Sequence, residues 1–226
     1  MPHSTPPRLL VVAHGTRSAT GSATTHALLA AVAGARPELH VDLCFLDVNT
    51  PTLTEALDAT AAPTVVVPLL LSTGYHVQHD IPEALHGRTQ TVVARHLGPH
   101  PLLAEALAHR LAEASAAPAA AASTLLVGAG SSREEAATEL ADMATLLAER
   151  ISRPVVAATM ADDLRGALAA LPKPADVATY LLAPGQFTQN LVDAVGDRAA
   201  VAQPIGVHPA LVELVLLRYD ESVRPA

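Results

Sequence analysis

His14, Asp47 and His76 stand apart both by residue type and by place, each lying just past a short apolar run, "LLVVA", "DLCFL" and "VVVPLLL" respectively. Two imidazoles and a carboxylate that converge would give a divalent transition metal nitrogen and oxygen donors while leaving coordination positions open. Imidazole, with an ordinary pKa of about 6.5, also accepts protons near neutral pH. An aspartate beside it can orient the ring or relay the proton. The single cysteine, Cys44, cannot form an intramolecular disulfide or supply a cluster for zinc or iron–sulfur. Any metal here must therefore rely on histidine and carboxylate ligands.

The elements that must position these groups follow from the apolar pattern. Runs at Arg8 to Ala13, Val41 to Leu46, Thr64 to Leu70 and Thr91 to Ala94 read as strands, with longer amphipathic segments between them. Such alternation predicts a parallel sheet covered by helices. In open sheets of this kind ligands bind outside the carboxyl ends of the strands. His14 follows the first strand, Asp47 the second, and His76 falls in the loop after the third.

The pattern then repeats. "LLVVAHGTRSATGSATTHALLAAVA" aligns with "TLLVGAGSSREEAATELADMATLLA", "LLLSTGYHVQHDI" with "YLLAPGQFTQNLV", and "RHLGPHPLLAEALAHRL" with "QPIGVHPALVELVLLRY". The expected organisation is two similar α/β domains, each with a parallel sheet of about four strands, spanning residues 1–116 and 123–226. The alanine- and proline-rich "ASAAPAAAAS" between them reads as a linker or a frayed helix end. Ala129 and Phe187 of the second copy stand where the first has His14 and His76, so neither histidine is needed to build the fold. Of the 11 histidines only His208 lies beyond the linker. It matches His100 in a shared G-x-H-P element, and a residue kept by both copies reads as structural, a contact at a helix start. His79 reads as a partner orienting the His76 site, as an alternative ligand, or as an exposed residue at a helix start. His26, His86 and His109 read as exposed.

Composition excludes several classes. A chain of 226 residues, 50% apolar, can bury real cores, and no apolar run approaches the roughly 18 to 20 residues of a membrane helix. The start "MPHSTPPRLL" lacks a signal peptide's layout, so a cytoplasmic location is expected. A formal net charge of −8 and only 2% aromatic residues argue against a nucleic-acid partner.

Four segments together resemble one family. "VVAHGTR", "FLDVNTPTLTEAL", "GYHVQHDIP" and "LGPHPLL" are similar, in order and spacing, to elements of the class II tetrapyrrole chelatases that act on sirohydrochlorin. The resemblance spans nearly the whole chain. It implies insertion of Fe2+ or Co2+, with Ni2+ also admissible, for siroheme or cobalamin synthesis, without a nucleotide or an iron–sulfur cluster. The family's metal-site histidines carry over to His14 and His76. Its acid after the second strand is commonly Glu, whereas Asp47 is one methylene shorter, which leaves a water-mediated or relay role open beside direct contact. Inserting a metal into a macrocycle requires partial dehydration of the ion, an open face toward the ring and removal of two pyrrole protons, all within reach of two imidazoles.

The polycarboxylate substrate implied by the resemblance asks for anion-friendly groups in an acidic chain. Gly15, Thr16 and Arg17 in one copy, and Gly130, Ser131 and Arg133 in the other, follow a first strand and open a helix, where backbone N–H groups favour anions. Arg88 is a further candidate cation. Tyr75 and Phe187, in matching loops, are candidates to flank a flat ring. The second copy, through residues 130–133 and 186–190 with Gln186 and Phe187, is expected to form the other wall of a cleft in a monomer that is an internal pseudo-dimer. A competing reading is a non-catalytic metal carrier or sensor, which would need no cleft for a macrocycle.

Overall fold

The computed structural model describes residues 6–114, 121–131 and 133–224, and of His76 the backbone but not the side chain. Residues 115–120, most of the expected linker, and Ser132 of the second glycine loop lie outside the described residues.

The first copy runs β1 (Arg8–Ala13), α1 (Ala19–Ala35), β2 (Val41–Phe45), α2 (Leu53–Asp58), β3 (Thr64–Pro68), α3 (Ile81–Leu85), β4 (Thr91–Val93) and α4 (Pro101–Ala114). The second runs β5 (Ser123–Gly128), α5 (Glu134–Ile151), β6 (Val155–Thr159), α6 (Leu164–Ala170), β7 (Ala175–Tyr180), α7 (Gln186–Val195), β8 (Ala200–Val201) and α8 (Pro209–Val223). Each copy forms a four-stranded parallel sheet, ordered β2-β1-β3-β4 and β6-β5-β7-β8. Both orders reverse direction between the first and third strands of the copy, which is where open α/β sheets leave a crevice. The four-strand expectation holds, and the expected strand ends differ by one or two residues.

Strand sequences such as "RLLVVA" and "TVVVP" are apolar on both faces because both faces are covered. Leu9, Val11, Val65 and Val67 face a central cluster shared with Leu126, Ala178 and Tyr180 of the other sheet. Leu10, Val12 and Val66 face an outer cluster with Leu53, Leu57 and Ile81, and Leu125, Val127 and Val177 have the same outer role in the second copy. Helices α1, α4, α5 and α8 supply the middle of the molecule.

The last helix of each copy crosses over. Helix α4 packs on α5 and β7 of the second copy, while α8 packs on α1 and β3 of the first. Two equivalent arginines fasten the exchange. Arg110 of α4 donates from Nε and Nη2 to Ile205 O, at 3.0 and 2.9 Å. Arg218 of α8, 2% exposed, donates from Nε to His96 O at 3.0 Å and from Nη2 to Leu97 O at 3.1 Å.

Helix starts follow their capping chemistry. Ser18 Oγ accepts from Gly21 N–H at the start of α1, and Thr52 with Glu55 closes a reciprocal capping box on α2. His208 Nδ1 accepts from Ala210 N–H and His100 Nδ1 from Leu102 N–H, each at 3.2 Å, so the two retained histidines do serve helix starts. Cys44 is fully buried, and burial pushes its thiol up to about 12. No helix among the described residues is long and apolar enough to cross a membrane.

Candidate functional site

His14 leaves the end of β1 and is exposed. Its carbonyl accepts from Asp47 N–H at 3.0 Å, so the first two proposed residues are backbone neighbours. Between them sits Gly15 at a φ of +99°, where a Cβ would collide with the Asp47 carbonyl oxygen. Only glycine fits that approach. Gly130 repeats the solution after β5, at a φ of +90° with the space for a Cβ 3.2 Å from Thr159 Cβ.

Asn49 pins this loop, since its Oδ1 accepts from Thr16 N–H at 2.6 Å. Thr16 Oγ1 in turn accepts from Ser18 N–H at 3.0 Å. The Thr16 and Ser18 amides are thus engaged within the protein. Asn49 was not singled out by the sequence, although its position two residues past Asp47, in the loop after β2, was a usable signal.

The carboxyl ends of the two sheets face each other and enclose two cavities that meet at His14. One, of about 480 Å3, lies between the segment after β3, including Thr73 and Tyr75, and the β5 end with Gly130 and Ser131. The other, of about 400 Å3, lies between Gly15, Thr16 and α1 on one side and Pro184, Gln186 and Phe187 on the other. His14, Leu69, Leu181, Leu182 and Phe187 border both. Tyr75 and Phe187 are 60% and 52% exposed, so both large rings present apolar surface at the cleft.

His14, Gly15, Thr16, Tyr75, Gly130, Ser131, Gln186 and Phe187 therefore come together around one cleft. Asp47 does not line it, and its Oδ1 accepts from Val48 N–H at 2.7 Å. Arg17 is exposed and also outside the lining. Arg133 reaches His79 instead, Nη2 to Nε2 at 3.0 Å, and the His79 ring lies 4.6 Å from that of Tyr75. This contact brings the two copies together beside the cleft. Arg88, the further candidate cation, lines neither cavity and pairs instead with Asp58 and the Ala84 carbonyl. His109 is also not isolated, since its Nδ1 lies 3.0 Å from His208 Nε2.

His76 does not sit in an open loop but opens a π-helical turn, His76–Asp80, which runs directly into α3. Among the described residues no three His, Cys, Asp or Glu side chains gather as a metal site. A two-histidine site needs His76, whose side chain is not among them.

Fold and cleft together define a class: a duplicated α/β protein whose two switch-point crevices merge into one ligand cleft. Within that class the chain belongs to the CbiX family, whose family model matches residues 8–114 and 123–222. Curated relatives include a sirohydrochlorin ferrochelatase of Bacillus subtilis, 24% identical over 95% of this chain and 91% of that protein. Another carries the same name in Priestia megaterium, at 28% identity over 62% of this chain but only 56% of that protein's length. A sirohydrochlorin cobaltochelatase of Methanococcoides burtonii is 28% identical over 46% of this chain and 94% of its own, so it corresponds to about one copy. Among solved structures, SirB from Bacillus subtilis with Fe3+ superposes with a TM-score of 0.83 at 22% identity, over 96% of this chain and 95% of that one, a likeness of fold.

Proposed function

We propose that this chain is a sirohydrochlorin chelatase that inserts Fe2+ or Co2+ into the macrocycle, supplying siroheme or cobalamin synthesis in the cytoplasm. The observation that carries the reading is the pair of cavities meeting at His14, built from the strand ends of both copies. Cavities of several hundred Å3 suit an organic ligand, whereas a carrier or sensor of a bare ion has no use for them. Family membership and the names of the relatives support the same choice of chemistry.

In this reading the metal is a substrate. His14 and His76 hold it with an open face toward the ring and accept the pyrrole protons. Asp47, tied to His14 through the backbone, passes protons on, and a ligand role is disfavoured by its bond to Val48. Tyr75 and Phe187 flank the macrocycle, and Thr16, Ser131, Gln186, Arg17 and Arg133 meet its carboxylates from the rim. The same donors admit Ni2+, and no nucleotide or iron–sulfur cluster takes part. Residues 1–116 carry the metal and residues 123–226 the opposite wall, in a monomer that is its own pseudo-dimer.

The test is an absorbance titration with sirohydrochlorin, followed by the rate of Co2+ insertion. Saturable macrocycle binding is expected for both the wild-type chain and His14→Ala. The variant should insert metal at least about 100-fold more slowly. Absence of macrocycle binding would favour the carrier, and an undiminished rate in His14→Ala would remove that residue from the site.

A further inference from the structure

The segment that leads into His76 is held by the other copy. Thr73, only 9% exposed, donates its backbone N–H to Glu139 Oε2 at 2.6 Å and its hydroxyl to Glu139 Oε1 at 2.7 Å. Glu139 stands on α5, in the second copy. His96, just past β4, brings its Nε2 to Glu139 Oε1 at 3.1 Å. With the Nε2–H tautomer it is a third donor to the same carboxylate. Burial lowers the His96 pKa, which favours the neutral ring. Beside this cluster the Tyr180 hydroxyl donates to Leu71 O at 3.0 Å, so the segment is fastened twice across the boundary between copies.

The repeat shows that the fold does not need the carboxylate cluster. Helices α1 and α5 start at equivalent caps, Ser18 and Arg133, which aligns Glu139 with Thr24. Leu97 N–H bonds Leu70 O as Ile205 N–H bonds Leu181 O, which aligns Thr73 with Pro184 and His96 with Pro204. The equivalent place therefore holds two prolines and a threonine: no carboxylate, no imidazole, and no backbone N–H where Thr73 has one. There the segment approaches α1 by close contact alone, a Cβ on Gly21 falling 2.7 Å from Pro184 O. A copy that closes without the cluster implies that the cluster serves something the other copy lacks. His76, three residues past Thr73, is replaced by Phe187 in that other copy.

We propose that Glu139 is a positioning residue for the metal site. By clamping Thr73 it holds the turn that begins at His76 in one place relative to β1 and His14. The inference rests on the reading that His14 and His76 are the ligands. Coordination bonds of fixed length tolerate little play between elements, and groups that orient ligands typically matter about 10- to 100-fold in metal affinity.

The test uses the full-length protein, with Co2+ binding followed by its visible absorption at a temperature where circular dichroism shows every variant folded. Glu139→Ala should weaken Co2+ binding by about 10-fold or more. Glu139→Gln, which keeps an acceptor oxygen for Thr73, should recover most of that loss, a rescue that a general loss of stability would not give. If Glu139→Ala does not fold, Thr73→Val removes one of the two bonds and should weaken binding in the same direction by a smaller factor. His14→Ala is measured alongside. Loss of Co2+ binding there, with both Glu139 variants (or Thr73→Val) within twofold of wild type, would overturn the clamp alone. Unchanged binding in His14→Ala would overturn the metal-site reading on which it rests.

Discussion

Single residues set the pH dependence of this fold. His96, His100 and His208 all have pKa values lowered chiefly by burial, with Arg95 and Arg218 adding to the effect at His96 and His100, and His109 and Arg110 at His208. The folded protein thus holds neutral rings that the unfolded chain would protonate below an ordinary pKa of about 6.5. Their contribution is complete above that value and is lost as pH falls through the lower folded-state values, because the unfolded state then binds more protons. The melting temperature should fall between pH 7 and pH 5. His208→Asn, which keeps a helix cap but no titrating ring, should show a shallower fall. A melting temperature independent of pH over that range in the wild type would contradict the assignment of buried neutral rings.

Among the elements, the exchanged helices bear the most testable energetics. Arg218 and Arg110 occupy equivalent places on α8 and α4 and bond carbonyls of the opposite copy, yet their side chains are 3% and 18% exposed. Removing a buried cation leaves carbonyl oxygens that water cannot reach. Arg218→Met should destabilise the protein by about 2–4 kcal/mol, and Arg110→Met by about 1 kcal/mol, because solvent can replace part of its bonding. Urea unfolding of both variants decides the point, and equal losses would show that burial is not what separates them.

For the whole molecule, the exchange means that neither copy closes its own core. Leu103, Leu107 and Leu111 of α4 are buried in the central cluster, and the helix packs on α5, β7 and α8. A chain ending at Ala116 would expose that face. It should therefore associate with a second copy of itself, trading α4 for the missing α8, as the half-length Methanococcoides relative has the size to do. Sedimentation is expected to give a dimer, and a native-like monomer would show that the exchanged helix is dispensable.

The strands, the duplication, the exit of His14 from β1 and the caps at His100 and His208 were all legible in the chain, because each is a local matter of apolar spacing, turn residues or motif order. The glycines at 15 and 130 could be aligned, but the collision at Gly15 with Asp47 O and the tight approach of Gly130 to Thr159 depend on neighbours brought in by other strands. Apolar spacing places helices between and after the strands but cannot say which sheet receives α4, because the pattern records that a face is buried and not what buries it. Asp47 and Arg88 carried suitable chemistry in the sequence, yet a turn at Val48 and a carboxylate at Asp58 occupy them. The cluster of Thr73, His96 and Glu139 joins residues far apart in the chain, none of which lies in the four family-like segments. Tertiary structure decided these features because they depend on which surfaces meet, and pairing across two copies leaves no periodic mark in either one.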